Sequence, residues 1–446
     1  MRARLIDLAI SLVLMLGSLG LYHHAGGQAQ MCDSCYALAT SQALVQDGTV
    51  ALDRHLPPDR TRLPGYDPAR GRPYHLEPSR IGLCYCYPLG SSLLSAPLVA
   101  LWTHTARWSA FDERGTYALE GETALELRTA SLVTACAVGV WYRLAREFVG
   151  PAPAAGLAAT LAAGSMAFST MARALWSHTW AALLVSLAIL VALRLEREPG
   201  VREAPRAIML GTLAFWTHLA RPQAFPGVAA LVLALAFRRR RAGAIATATA
   251  AAWIVAGAAA SLAAFGTPRP PSAYDRLVRC SAPLSTVAAF LVSPSRGLLV
   301  LCPYVPVIGA VLVARRRILP EPWLLVPGAL EVAAILASGA IWETSLGGHS
   351  FGPRYFTDAL PWFAVAGAQA LAVLPGPRTG ALLAACAAFG VFVHARGACR
   401  VETWWWNAGC EVPAIALRRA NDWRHPQCLA GLAFGVRPDG RFEDQP

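Results

Sequence analysis

The chain contains no lysine; all 39 of its basic residues are arginine. Together with abundant alanine, this points to a GC-rich bacterial coding bias and not to a selected chemistry. Charge of any kind is scarce: Asp, Glu and Arg make up 15% of the 446 residues, whereas 55% are hydrophobic and the mean hydropathy is +0.42. Apolar residues gathered into repeated blocks exclude an ordinary soluble domain and read as a polytopic membrane protein. The formal charge of +12 does not imply nucleic-acid binding, because the arginines sit in short clusters between apolar blocks, as orientation signals do. Internal repeats and low-complexity linkers are missing as well. One integrated membrane domain over residues 1–394 with an outer tail over 395–446 is the simplest organisation.

Apolar stretches long enough to cross a bilayer lie near 5–22, 89–103, 129–142, 154–169, 178–193, 206–219, 224–237, 244–264, 298–313, 323–341, 359–374 and 379–394. Several are short, so the expected fold is all-α with about 11–13 transmembrane helices. The first stretch follows Met1-Arg-Ala-Arg4 and reads as an uncleaved span; the small residues Ala25 to Gly27 keep a cleavable signal peptide open as the alternative. Arg143 and Arg146, Arg194 and Arg197, Arg238 to Arg241, Arg315 to Arg317, and Arg378 mark cytoplasmic ends. That assignment places the 23–87 loop, Trp176-Ser-His178, Ala220-Arg-Pro-Gln223, the 265–297 loop, the 342–358 run and the tail on the outer face. Between the first loop and Arg143 an odd number of crossings is required where two candidates stand. Segment 89–103, which contains Pro97, is therefore re-entrant or interfacial.

Chemistry concentrates on that outer face. The run from Trp342 to Asp358 is polar and glycine-rich between two apolar segments, and such backbone is tolerated at membrane depth only when buried in protein or facing a watery cavity. Asp33, in Cys32-Asp-Ser-Cys-Tyr36, is an acid close to the first span and suits a general base. Asp47, Asp53 and Glu77 in the same loop are rivals. Arg173, Arg221, Arg296 and Arg354 lie near outer ends against the positive-inside trend, and arginine forks hold phosphate oxygens. His178, His349 and Tyr355 stand beside them as further binding candidates; His218 is a weaker one, and no histidine has a metal-ligand spacing. Of 11 cysteines, Cys32, Cys35, Cys84, Cys86, Cys280, Cys399, Cys410 and Cys428 fall on the outer face, where disulfides are the default and a zinc site the lesser alternative. Trp404-Trp-Trp406 in the tail reads as an interfacial anchor, with sugar stacking as the sharper option.

Taken together, the first span, the long outer loop with its early Asp33, Tyr87-Pro-Leu-Gly90, Ser293-Pro-Ser-Arg-Gly297 and Gly352-Pro-Arg-Tyr-Phe-Thr-Asp-Ala-Leu-Pro361 resemble the multi-spanning glycosyltransferases of the C-type fold. That group includes protein mannosyltransferases and the aminoarabinose transferases of lipid A. The resemblance implies an enzyme of the bacterial inner membrane with its active site on the extracytoplasmic side. It would invert a sugar taken from a polyprenyl phosphate and pass it to a glycan, lipid or protein acceptor. Asp33 would be the base, and the outer arginines would hold the lipid phosphate. The Asp-Glu pair of the mannosyltransferases is absent, since Ser34 follows Asp33, which leaves the acceptor class open. Some members use a divalent metal, although no ligand set stands out in this chain. A transporter or flippase of an anionic lipid or solute is the alternative, with Glu331 inside a span as its best candidate, followed by a non-catalytic scaffold.

Overall fold

The computed structural model describes residues 2–25, 31–200, 202–272, 284–341, 346–408, 410 and 413–443. Cys280 and Trp342 to Ser345 lie outside these residues.

Each of the apolar segments predicted from the sequence holds helix. α1 spans Arg2–His24, α2 Ala37–Asp47, α3 Leu89–Ala106, α4 Leu119–Arg146, α5 Pro151–Ala163, α6 Ser177–Arg197, α7 Glu203–Ala220, α8 Phe225–Arg238 and α9 Arg240–Phe265. After them come α10 Leu284–Val292, α11 Leu298–Leu301, α12 Tyr304–Ala314, α13 Leu325–Ile341, α14 Leu360–Ala372, α15 Pro377–Cys399, α16 Val401–Trp405 and α17 Pro413–Ala420. Among the described residues, six helices are long and apolar enough to cross a membrane, and three shorter apolar helices accompany them. The 298–313 segment is split, because Pro303 ends the α11 turn before α12 begins. Strand is confined to short antiparallel hairpins, chiefly Leu76–Ser79 with Gly82–Tyr85 in the first loop. The protein is an all-α polytopic membrane protein.

Small residues set the spacing of the bundle. Ala135, Ala137, Ala145, Ala181, Ala182, Ala188 and Ala192 are fully buried along α4 and α6, so these helices meet with little side-chain bulk between them. A Cβ on Gly211 would stand 2.3 Å from the carbonyl oxygen of Ala246, which brings α7 and α9 together backbone to backbone. The hydrophobic segments of α4 and α6 are 61% and 72% buried, against 6% for α9 and 11% for α1. Helices α4 and α6 therefore form the centre, while α1 and α9 present their apolar faces outward, where lipid would lie.

One end of the bundle is knotted by ion pairs. Arg146 Nε meets Asp7 Oδ1 at 2.7 Å, Arg194 and Arg197 meet Glu147 at 2.9 and 3.0 Å, Arg197 also meets Glu321 at 3.0 Å, and Arg238 meets Glu196 at 2.8 Å. The arginine clusters at 143–146, 194–197 and 238–239 thus share one basic end. The Asp7 to Arg146 contact joins the start of α1 to the end of α4, so these two helices run antiparallel and pack directly together. Helix α3 is accordingly not needed as a crossing before Arg143, which removes the parity conflict in the sequence. It packs instead mainly on α2, and its first turn meets the end of α7. Gly90 makes that second contact possible, since a Cβ there would be 2.4 Å from the backbone nitrogen of Ala220. The Tyr87-Pro-Leu-Gly90 motif thereby brings the first loop against the end of the bundle opposite the basic clusters.

Candidate active site

The turn that carries Asp33 is gripped residue by residue. His75 Nε2 bonds the carbonyl oxygen of Cys32 at 2.8 Å, and the hydroxyl of Tyr85 donates to the carbonyl oxygen of Asp33 at 2.5 Å. The Ser34 hydroxyl donates to Glu126 Oε2 at 2.9 Å, and the backbone N–H of Tyr36 donates to Glu122 Oε2 at 2.8 Å. Tyr36 itself has φ 74°, a left-handed conformation that a tyrosine adopts only when its surroundings impose it.

Two carboxyl groups on one face of α4 supply that constraint. Glu122 caps the start of α2: its Oε1 accepts from the N–H groups of Leu38 and Ala39 at 3.0 Å each, and its Oε2 from Tyr36 and from the Tyr117 hydroxyl, the latter at 2.7 Å. A carboxylate at a helix start answers both the orphan N–H groups and the helix dipole. Glu126, one turn further along, accepts through one oxygen from Ser34 and, at 3.1 Å, from the N–H of Leu175. Both glutamates are fully buried. Sequence reasoning misses them because the apolar stretch starts at residue 129, beyond the turns that hold the acids. Their signal was present as two acids four residues apart leading into an apolar helix.

From the far end of the chain, Arg354 reaches the same place. Its Nη2 donates to Asp33 Oδ2 at 2.9 Å, and its guanidinium lies 4.0 Å from the ring centre of Trp176. Leu175, held by Glu126, is the neighbour of that tryptophan, so one glutamate oxygen ties the Asp33 turn to the platform of Arg354. Burial opposes the charge on Arg354, but the nearby Asp33 carboxylate outweighs it and leaves the guanidinium more basic than usual. Nε of Arg354 has no hydrogen-bond partner among the described residues.

Asp33, Arg354 and Arg221 line one crevice with Ser34, Tyr85, Tyr87, Ser91, Trp176 and Ser177. Its volume is about 20 Å³, little more than room for a water, so the Asp33 to Arg354 contact closes it. Tyr87 and Pro88 also border a larger cavity of about 370 Å³, lined with Leu89, His218, Leu219, Pro222, Gln223, Arg269, Pro270, Pro271 and Ser272. A polar crevice therefore adjoins a mainly apolar groove.

The remaining candidates are placed differently. Arg221 donates to Asp358 Oδ2 at 2.5 Å and to the Ser177 hydroxyl at 2.9 Å, while His178 Nδ1 meets Asp358 Oδ1 at 2.9 Å. Burial acts to raise the Asp358 carboxyl, but Arg221 and then His178 overcome it and hold the group below its ordinary range. Asp358, which the sequence reading left without a role, thus fixes the wall of the crevice. Arg296 does not line the crevice. Its guanidinium donates to the carbonyl oxygens of Ser350 and Gly348 at 2.6 and 3.2 Å, to Gln427 Oε1 at 2.8 Å and to Asn407 Oδ1 at 2.6 Å. Burial without a carboxylate partner lowers it to about 10. Its role is to dock the C-terminal segment on the 346–352 loop. Arg173 also turns away from the crevice, donating to the carbonyl oxygen of Tyr22 near the end of α1. Tyr355 packs edge-on against Phe290, with ring centres 5.4 Å apart, and His349 lies 6.1 Å from Trp404.

The expected disulfides are a correction: the described cysteines form no disulfide with one another. In the first loop their sulfurs are engaged otherwise, Cys84 with the Ser79 hydroxyl at 3.3 Å and Cys86 with the carbonyl oxygen of Tyr74 at 3.5 Å. The Asp33 turn is held by hydrogen bonds and not by a bridge. Among the described residues, no three of His, Cys, Asp and Glu converge as a metal ligand set.

No model of a known protein family matches the chain, and no curated protein matches it. Among solved structures it is similar to one described as a crystal structure of ArnT from Cupriavidus metallidurans bound to undecaprenyl phosphate. The identity is 14%, covering 93% of this chain and 72% of that one, with a TM-score of 0.47.

Proposed function

We propose that the protein is a glycosyltransferase of the bacterial inner membrane that takes a sugar from a polyprenyl phosphate and passes it to a glycan, lipid or protein acceptor. The observation that carries this reading is the meeting of Asp33 and Arg354, 321 positions apart in sequence, in a crevice that adjoins an apolar groove. A carboxylate beside a cation is the minimum needed for displacing a phosphate from an anomeric carbon. The positive-inside pattern would place the basic end in the cytoplasm and the crevice on the extracytoplasmic side.

In this mechanism the donor phosphate enters beside Arg354 and separates it from Asp33. An acceptor hydroxyl, hydrogen-bonded to the freed carboxylate, attacks the anomeric carbon from the face opposite the phosphate. The new C–O bond forms as the bond to the phosphate oxygen breaks, the hydroxyl proton passes to Asp33, and the polyprenyl phosphate leaves with its electron pair. Arg354 offsets the charge that develops on the leaving oxygen. Arg221, steadied by Asp358, provides a second cation on the wall. His349 and Tyr355, in and beside the loop segment carrying Arg354, would contact the sugar or acceptor. Any divalent metal would have to use Asp33 with groups from the substrate, since the chain supplies no further ligands there among its described residues.

The test is binding of polyprenyl phosphate by the protein in nanodiscs. The wild type should bind it and Arg354→Ala should bind at least tenfold more weakly. Equal binding by both removes Arg354 from the site.

A further inference from the structure

Behind the segment that carries Arg354 lies a cluster that the proposed transfer reaction does not use. Met166 follows α5, Cys302 ends α11, and His394 belongs to α15; all three are fully buried. The Cys302 sulfur stands 3.7 Å from the Met166 sulfur and 3.3 Å from His394 Nε2. From the geometry we infer that Met166, Cys302 and His394 form a binding site for a soft monovalent metal ion, of which Cu(I) is the biological example.

The distances fit. Metal bonds of about 2.3 Å to sulfur and about 2.0 Å to imidazole nitrogen hold two donors roughly 3.5–4.0 Å apart; the sulfur pair already lies in that range, and the Cys302 sulfur and His394 Nε2 need open by only a few tenths of an ångström. The donor set selects the metal: thioether and thiolate are soft ligands that suit Cu(I), and methionine is not among the usual ligands of zinc. Charge balance selects it again. Among the described residues no Asp or Glu hydrogen-bonds to any of the three, so one monovalent ion replacing the Cys302 thiol proton, which leaves to solvent, keeps the buried site neutral. A divalent ion would leave a bare positive charge in a dry core.

The imidazole is already oriented. Ser169 Oγ lies 2.7 Å from His394 Nδ1, and in the tautomer in which Nδ1–H donates to that hydroxyl, the Nε2 lone pair faces Cys302. A partner on the second ring nitrogen is the usual means of presenting a histidine to a metal. Ser169 sits in a π-helical turn, Ala167–Met171, immediately after Met166, and such turns recur at functional sites. His394 also touches the functional segment: a Cβ on Gly352 would be 3.9 Å from its Cε1, and the Phe351 ring meets it edge-on at 6.0 Å. Metal loading would therefore brace the backbone that presents Arg354.

The experiment uses the full chain in detergent, reduced and free of oxygen, titrated with Cu(I) against a competing chelator and examined by X-ray absorption. The wild type should retain one equivalent with two sulfurs and one nitrogen about the metal, and its melting temperature should rise on loading. Met166→Leu conserves volume and should fold, yet lose one sulfur from the coordination shell and bind at least tenfold more weakly. Cys302→Ser should lose the site. The inference is overturned if the chelator strips the wild type completely, if Met166→Leu binds as the wild type does, or if Zn(II) and not Cu(I) occupies these ligands. None of these readouts depends on the transferase reading.

Discussion

Nη2 of Arg354 donates a hydrogen bond to Oδ2 of Asp33 at 2.9 Å, joining the first loop to the last third of the chain. The pair closes the crevice, so a ligand that enters must part it. Arg354 has a second hold, the face of Trp176, and can leave the carboxylate without losing its place. The first set of predictions follows from that division.

Arg354→Ala removes the cation and leaves Asp33 without its partner. The dissociation constant for a polyprenyl-phosphate donor should rise 10- to 100-fold. Arg354→Lys should recover only part of this, because a point charge neither stacks on Trp176 nor reproduces the guanidinium fork. Donor-binding isotherms for the two variants check it; equal affinities would contradict the role of the fork.

Glu122→Gln keeps size and removes two acceptor positions. Its amide group would face N–H or O–H donors that now meet a carboxyl oxygen, so at least one buried donor of α2 goes unsatisfied, at a cost of about 1–3 kcal/mol. A drop of several degrees in melting temperature is expected, with the first loop more open to protease. An unchanged melting temperature would show that the cap is dispensable.

Glu126→Ala severs the tie between Ser34 and Leu175, and so between the turn of the acid and the platform of Arg354. Turnover should fall by at least tenfold. Because Glu126 hydrogen-bonds to none of the crevice charges Asp33, Arg221 and Arg354, the fall should be in kcat more than in KM. A variant with altered KM alone would place Glu126 in binding and not in positioning.

His75 predicts a response to acid. Burial is the main cause that lowers this histidine from 6.5 to about 4, and Asp33 only partly opposes it. The neutral form is the one that folds, so its contribution is complete above pH 6.5 and is lost as pH falls from 6.5 through about 4. The loss amounts to about 3 kcal/mol at most. Its second ring nitrogen, Nδ1, is buried without a partner among the described residues, so an added proton there finds no acceptor. His75→Gln retains an amide donor for the Cys32 carbonyl and should flatten stability over that interval. A slope as steep as the wild type's would assign the titration elsewhere.

Much of the fold was legible because it depends on long-wavelength properties of the sequence. Each apolar block holds helix, although Leu284–Val292 is a further helix inside the stretch read as the 265–297 loop, and the arginine clusters at 143–146, 194–197 and 238–239 share one end. Polarity in the wrong place drew attention to Asp33 and to the Gly352-Pro-Arg354 segment, which the structure brings into contact. What the sequence hides is which donors are already spent. Arg296 looks the same as Arg354 in sequence, yet four side-chain and backbone oxygens surround its guanidinium, and Arg173 is occupied by the end of α1. Glu122 and Glu126 escape notice because their partners are backbone N–H groups and the hydroxyls of Ser34 and Tyr117, which leave no charge complement along the chain. The cysteine pattern misled for a related reason: spacing shows which thiols are near in sequence, not where their sulfurs point.

The most direct measurement is release of polyprenyl phosphate from a polyprenyl-phosphate sugar by reconstituted wild type and Asp33→Asn, with membrane extract as the acceptor source. The account predicts release by the wild type, a rate at least 100-fold lower in the variant, unchanged folding, and a donor affinity no weaker than the wild type's. Near-normal release by Asp33→Asn would contradict it.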